Sequence, residues 1–376
     1  MLDSKRFTNL PWGMIGLIFA IACIGLASVY SATYTSRGPS FLFYKQLVMT
    51  CVGFLIMFFL IIPDYHSVSR YAYVFGVLSF ILLVLVMIMG RTGMGAQRWL
   101  AIGPVAFQPS ELAKLSLTLA LARYFAEDPK RGNYEMKDLA IPGLMVIVPT
   151  VLVLKQPDLG TALMLVLTSS LIVILAGIRL KSVLAVLLSI AFVASVILLV
   201  SPVRHKIWKS LKPYQQNRIR SFIDPSSDPL GSGYHANQSK IAVGSGQITG
   251  KGFRKGTQSQ MAFLPERHTD FIFAVIAEET GLVGATILIF LYLLFLLMGV
   301  DTAKNAKDRL GALMAGGIVS MISLYVFINI GMALGIVPVV GVPLPLVSYG
   351  GTSTITTFLA LGLLLNIQAR RFMLFY

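Results

Sequence analysis

Residues 263–299 read FLPERHTDFIFAVIAEETGLVGATILIFLYLLFLLMG. Glu266, Arg267, His268 and Asp270 stand at the mouth of an apolar run that carries only two more charges, Glu278 and Glu279. Where lipid offers no hydrogen-bond partner, a backbone must satisfy its own polar groups, so an apolar run of about 20 residues is a spanning helix.

The same pattern recurs along the chain. Of 376 residues, 56% are hydrophobic and 12% charged, which places the chain among all-α polytopic membrane proteins. Ten spans are predicted, at 12–33, 42–62, 71–90, 108–126, 139–154, 160–178, 182–201, 269–299, 311–335 and 351–368. Pro142 and Pro149 in the short fifth span point to a kink or tilt. The first span is too long for a signal-peptide core and is read as a retained helix.

Ten spans put both termini on one side, and the basic residues of the short loops choose the side. With a cytoplasmic N-terminus, fourteen Lys and Arg fall inside and six in the short outside loops. Both termini are therefore expected in the cytoplasm. The remaining eleven basic residues lie in one long loop, 202–268, between spans seven and eight on the extracytoplasmic side, opposed only by Asp224, Asp228 and Glu266. Contact with anionic headgroups and a site for a phosphate-bearing substrate both explain that excess. Nucleic acid does not suit a membrane-embedded host.

Cys23 and Cys51 fall inside apolar spans and are read as small core residues rather than a disulfide or metal pair. The glycines of 231–256 match no nucleotide-binding fingerprint and are read as turn formers.

Every even-numbered span begins on the outer face in this topology. Polar motifs sit at four of those beginnings: Gln108-Pro109-Ser110-Glu111, Gln156-Pro157-Asp158, His268-Thr269-Asp270 and Ser348-Tyr349-Gly350-Gly351. Helix N-termini offer free N–H groups and partial positive charge, which suits a pyrophosphate. Capping accounts for Ser110, Asp158 and Thr269 but leaves Glu111, Lys114, Lys155 and Glu278, whose charges are costly near lipid unless paired or functional. Glu111 and Lys114, spaced i,i+3, can also form a structural ion pair. On the eighth span, the helical period puts Asp270 at the mouth and Glu278 about 12 Å deeper, so Asp270 is reachable and Glu278 structural. A reachable carboxylate among anion-binding groups fits a general base, and equally a ligand for a divalent cation such as Mg2+ or Mn2+.

These motifs, with Gly95-Ala96-Gln97-Arg98-Trp99-Leu100, Gly233-Tyr234-His235, Gly256-Thr257-Gln258-Ser259-Gln260 and Leu344-Pro345-Leu346-Val347-Ser348, together resemble the SEDS family (shape, elongation, division, sporulation) almost end to end. Pro338 to Pro345 and the short termini resemble its elongation branch, RodA-like, more than its division branch. Thr280 departs from the Leu or Phe expected there.

The resemblance implies a single membrane domain over 1–376 that polymerises lipid II on the outer face of the bacterial cytoplasmic membrane. It implies inversion at the anomeric carbon and a class B penicillin-binding protein as partner within the elongation machinery. Asp270 takes the place of the family's essential aspartate. Glu111, Lys114, Asp158, Arg98, Lys155, Arg267 and Ser348 are its expected companions in substrate binding or in the cavity. A transporter or lipid II flippase is the rival expectation.

Overall fold

The computed structural model describes residues 10–35, 38–93, 96–102, 105–179, 181–184, 232–260, 264 and 266–371, with single positions at 188, 195, 205, 209 and 216. In chain order these form α1 (Trp12–Thr33), α2 (Phe41–Ile61), α3 (Tyr65–Arg70) and α4 (Ala72–Met89). Strands β1 (Arg91–Gly93), β2 (Ala96–Ile102) and β3 (Val105–Phe107) follow, then α5 (Pro109–Glu127), α6 (Ala140–Lys155) and α7 (Leu159–Ala176). The remainder comprises α8 (Ser232–Ser245), α9 (Thr257–Gln260), α10 (Ile272–Lys304), α11 (Arg309–Leu334) and α12 (Gly351–Arg370).

Among the described residues, eight helices are long and apolar enough to cross a membrane. A ninth, α5, coincides with the predicted fourth span, but carries the four charges Glu111, Lys114, Arg123 and Glu127 within 19 residues. The predicted seventh span, 182–201, lies almost wholly outside the described residues, as does the loop up to residue 231. Large apolar side chains such as Phe41, Leu55, Phe59, Ile88 and Leu144 face outward, as lipid-exposed helices require. Cys23 and Cys51 share that exposed surface, which corrects their reading as core residues. The centre belongs to α5, α11 and α12, buried along most of their length.

Two features amend the sequence expectation. Between α4 and α5 the chain forms a three-stranded antiparallel sheet in the order β1-β2-β3, so the fold is not purely helical. Arg91 pairs with Trp99 and Leu100 with Phe107, which leaves β2 in the middle with its backbone bonded on both sides.

The second is a break in α10. Gly281 has φ 66° and ψ −164°, so the predicted span 269–299 is two helical pieces meeting at a sharp turn. The backbone groups released there bond to the segment before α9 instead of to lipid. Leu282 N–H donates to Gln247 O (2.9 Å) and Val283 N–H to Ile248 O (3.1 Å), while Glu278 O and Glu279 O accept from Lys251 N–H (3.0 Å) and Gly252 N–H (2.9 Å). Glu278, fully buried, closes the knot by accepting from Lys251 Nζ (2.8 Å), Gln258 N–H (2.8 Å) and Ser259 N–H (3.0 Å). Ser31 of α1 donates to Glu279 beside it. A Cβ on Gly281 would stand 2.4 Å from both Gly250 N and Ile248 O, on a backbone conformation that a side chain rarely tolerates. Gly281→Ala is expected to cost on the order of 1–3 kcal/mol, and more if the contact cannot relax, read as a lower unfolding temperature in detergent.

At the opposite end, a polar clamp ties the α2–α4 turn to α11 and α12. His66 bonds Asp64 through Nδ1 (2.9 Å) and Asp308 through Nε2 (2.7 Å), Tyr65 Oη donates to Asp308 (2.7 Å), and Arg370 Nη2 donates to Ile62 O (2.9 Å). Burial alone would lower the His66 pKa, but its hydrogen bonds and the charges of Asp64 and Asp308 outweigh that and hold it above 6.5. A raised folded-state value stabilises fully below 6.5, and the contribution fades as pH rises through the raised value. The unfolding temperature of wild type should therefore exceed that of His66→Gln most at acidic pH, with the gap narrowing through neutral and alkaline buffers.

Candidate active site

Four helix beginnings meet at one end of the bundle. The starts of α5, α7, α10 and α12, the strand β2 and the loop 340–343 line a cavity of about 440 Å³. Pro109 opens α5 in the first turn, where its missing N–H costs nothing. Asp158 caps α7 by accepting from Thr161 N–H through Oδ1 (3.1 Å). Its other oxygen accepts from Gln108 Nε2 (3.2 Å) and stands 3.4 Å from Arg98 Nη1. One buried carboxylate thus joins α5, α7 and the sheet.

Deeper in the cavity, Lys114 Nζ donates to Glu111 Oε1 (2.7 Å) and Tyr325 Oη to Glu111 Oε2 (3.0 Å). The ammonium also lies 4.6 Å from the centre of the Tyr325 ring. Both members of the ion pair are almost completely buried, so each is the other's main compensation for leaving water.

Asp270 lines the mouth, half-buried, just before α10. Its segment is pinned from several sides. Asn329 Nδ2 donates to Asp270 O (2.9 Å) and to Val342 O (2.7 Å), binding α11 to both the α10 start and the loop 340–343. Ser348 Oγ donates to Thr269 O (2.6 Å) and accepts from Leu344 N–H (2.7 Å), and Tyr349 N–H donates to His268 O (2.8 Å). Gln46 then fixes the start of α12, accepting from Gly350 N–H (3.1 Å) and donating to Thr354 Oγ1 (3.1 Å). Gly341 lies close against the carboxylate, since a Cβ there would come 3.1 Å from Asp270 Oδ2.

Of the residues singled out in the sequence, Asp270, Glu111, Lys114, Asp158 and Arg98 line this cavity together. Ser348 is buried behind the mouth, as the latch just described. Lys155 is not in the lining: it is the exposed last residue of α6, and the next residue, Gln156, is buried and donates to Leu83 O (2.9 Å). Arg267 is also outside the lining, and burial lowers its pKa. Burial likewise lowers His268, whose ring centre is 5.5 Å from that of Tyr349, so it adds little positive charge at neutral pH. Among the described residues the lining therefore carries four carboxylates, with Glu266, against the two basic side chains Arg98 and Lys114, each facing a carboxylate.

Sequence reasoning missed Gln46, Asn329 and Tyr325, and carried Gln108 only as part of a helix-start motif. A lone amide inside an apolar span signals a specific partner, because an unbonded one is costly there, and that signal was available for Gln46 and Asn329. Among the described residues no three His, Cys, Asp or Glu side chains gather as metal ligands.

The family described as cell cycle protein FtsW/RodA/SpoVE matches residues 7–372. The chain belongs to this family. It is 42% identical over 363 residues to the peptidoglycan glycosyltransferase MrdB of Escherichia coli K12, covering 96% of this chain and 94% of that one. One solved chain comes from a study of how a peptidoglycan synthase complex coordinates polymerization and crosslinking, and it superposes with a TM-score of 0.81 at 34% identity, covering 96% and 98% of the two chains. The rod shape determining protein RodA of Thermus thermophilus, solved with one aspartate changed to alanine, gives 0.71 at 31% identity over 97% and 99%.

Because Glu111 and Lys114 compensate each other, removing one charge should hurt more than removing both. Lys114→Met strands a buried carboxylate and should cost about 3–5 kcal/mol. Lys114→Met combined with Glu111→Gln should recover much of that loss, as measured by unfolding of the single and double variants in detergent.

Proposed function

We propose that this family member is a peptidoglycan glycosyltransferase that polymerises lipid II during cell elongation, with Asp270 as its general base. The supporting observation is the position of Asp270: a half-buried residue at the mouth of the cavity where four helix starts converge, its backbone segment pinned by Asn329 and Ser348. The relative's name, peptidoglycan glycosyltransferase, supplies the reaction class.

Asp270 accepts the proton of the acceptor sugar's 4-hydroxyl as that oxygen attacks the anomeric carbon of the lipid-linked donor. The new C–O bond forms on one face while the bond to the pyrophosphate oxygen breaks on the other, so the anomeric configuration inverts and undecaprenyl pyrophosphate leaves with the electron pair. The starts of α5 and α12, which no side chain caps, are the positive ends available to the leaving pyrophosphate. Arg98 is the basic side chain nearest solvent in the lining, 20% exposed against 2% for Lys114, and is the candidate phosphate contact.

The topology that serves this chemistry has ten spans in one domain over 1–376, the seventh within 182–201, with the loop 202–268 outside. Both termini are cytoplasmic and the cavity opens on the extracytoplasmic face, where the uneven Lys and Arg distribution puts it. A class B penicillin-binding protein crosslinks the product; support for that partner is the superposition with a chain from a synthase complex that coordinates polymerization and crosslinking. A flippase would need polar groups along a path between the two faces, whereas the site residues gather at one end.

The test is polymerisation of purified lipid II by the chain with its partner. Asp270→Ala and Asp270→Asn should each lower the rate by at least about a hundredfold while leaving the unfolding temperature near wild type. Wild-type rates in both variants would remove Asp270 from the chemistry, and movement of labelled lipid between leaflets without polymer would replace a polymerase by a transporter.

A further inference from the structure

A second polar cavity lies at the end of the bundle remote from Asp270. It has a volume of about 570 Å³, within the range of small-ligand sites, and is lined by Arg70, Arg123, Arg131, Arg309, His66 and Glu127. Helix α5 links the two sites. Glu111 and Lys114 stand at its start and Arg123 and Glu127 at its end, about 24 Å apart by helical rise.

The charges of this cavity do not cancel. Its two carboxylates are both engaged: Glu127 accepts from Arg123 Nε (2.7 Å), and Asp308 accepts from Tyr65 Oη (2.7 Å), faces His66 Nε2 (2.7 Å) and caps α11 through Gly311 N–H (2.9 Å). Arg70, Arg131 and Arg309 pair with no carboxylate among the described residues. Arg309 Nη2 reaches Tyr134 Oη (3.4 Å) and Ala176 O (3.3 Å), but its Nη1 is buried without any hydrogen-bond partner. The guanidinium fork fits the oxygens of a phosphate, and Arg70 and Arg131 are exposed to meet one. Arg123 is held in place by Ser69 O (3.1 Å) and by the Tyr73 ring 4.8 Å from its guanidinium carbon, so part of the cavity wall is preorganised.

We propose that this cavity binds a phosphate-bearing anion, supplied in the membrane by the headgroup of an anionic phospholipid. The groups point to that ligand class together: arginines that pair with no carboxylate among the described residues, and a location at the helix ends, where headgroups lie. Occupancy would bridge the ends of α3 and α5 to the start of α11, the same elements that the His66 clamp joins.

The experiment uses the purified full-length chain. Native mass spectrometry compares retention of phosphatidylglycerol with phosphatidylcholine, and thermal unfolding compares inorganic phosphate with chloride at equal ionic strength. Wild type should prefer phosphatidylglycerol, and Arg131→Gln combined with Arg309→Gln should weaken that preference by roughly thirtyfold, the usual attraction of two basic side chains near an anionic surface. Lys304→Gln, an exposed charge outside the cavity, should change nothing. If Arg309→Gln compromises folding, Arg70→Gln with Arg131→Gln replaces it, both being exposed side chains. Arginine-dependent stabilisation by inorganic phosphate without a lipid preference would support the site and assign it a free anion. Equal lipid retention and equal phosphate response in wild type and the arginine variants would overturn the proposal.

Discussion

Buried Glu278 and the broken helix beside it are what the rest of this bundle depends on. A carboxylate removed from water needs several donors, and Glu278 obtains them by drawing in Lys251 and the backbone of residues 258 and 259. The same segment supplies partners for the backbone groups that Gly281 releases. Two costs that neither could bear alone in an apolar setting therefore offset each other. The consequence is geometric: the first piece of α10 leaves the direction of the second, and Asp270 is carried over the starts of α5, α7 and α12.

The other buried polar groups follow the same rule and act as joints. Asp158 joins α5, α7 and the sheet, Glu111 joins α5 to α11 through Tyr325, Asn329 joins α11 to the Asp270 segment, and Gln46 joins α2 to the start of α12. In lipid the hydrophobic effect does little to pull helices together, so directional bonds and close packing must specify their arrangement. Each joint ends at the cavity or one residue behind it. Rigidity is thus concentrated where a reacting geometry has to be held, as catalysis by positioning requires.

Most of the helical frame was legible because apolar runs of spanning length have few alternatives. Asp270, Glu111, Lys114 and Asp158 were legible because charges at helix starts in such a chain need a reason, and shared topology put those starts on one face. The break at Gly281 was not, since a single glycine between Thr280 and Leu282 also fits an unbroken helix. The sheet around Arg98 was missed because its strands are three to seven residues long, too short to show a period. Lys155 was misplaced for a related reason: a one-residue uncertainty about where α6 ends decides whether its side chain meets the cavity or the outside.

The composition of the lining changes how a pyrophosphate would be accommodated. The sequence suggested a basic cradle; among the described residues Lys155 and Arg267 are not in the lining, burial lowers the His268 pKa, and Arg98 and Lys114 each face a carboxylate. Helix N-termini add positive potential as fixed partial charges that cannot be titrated away. A polymerase must release its leaving group and admit another donor at every cycle, and tight binding of the ground state does not accelerate the chemical step.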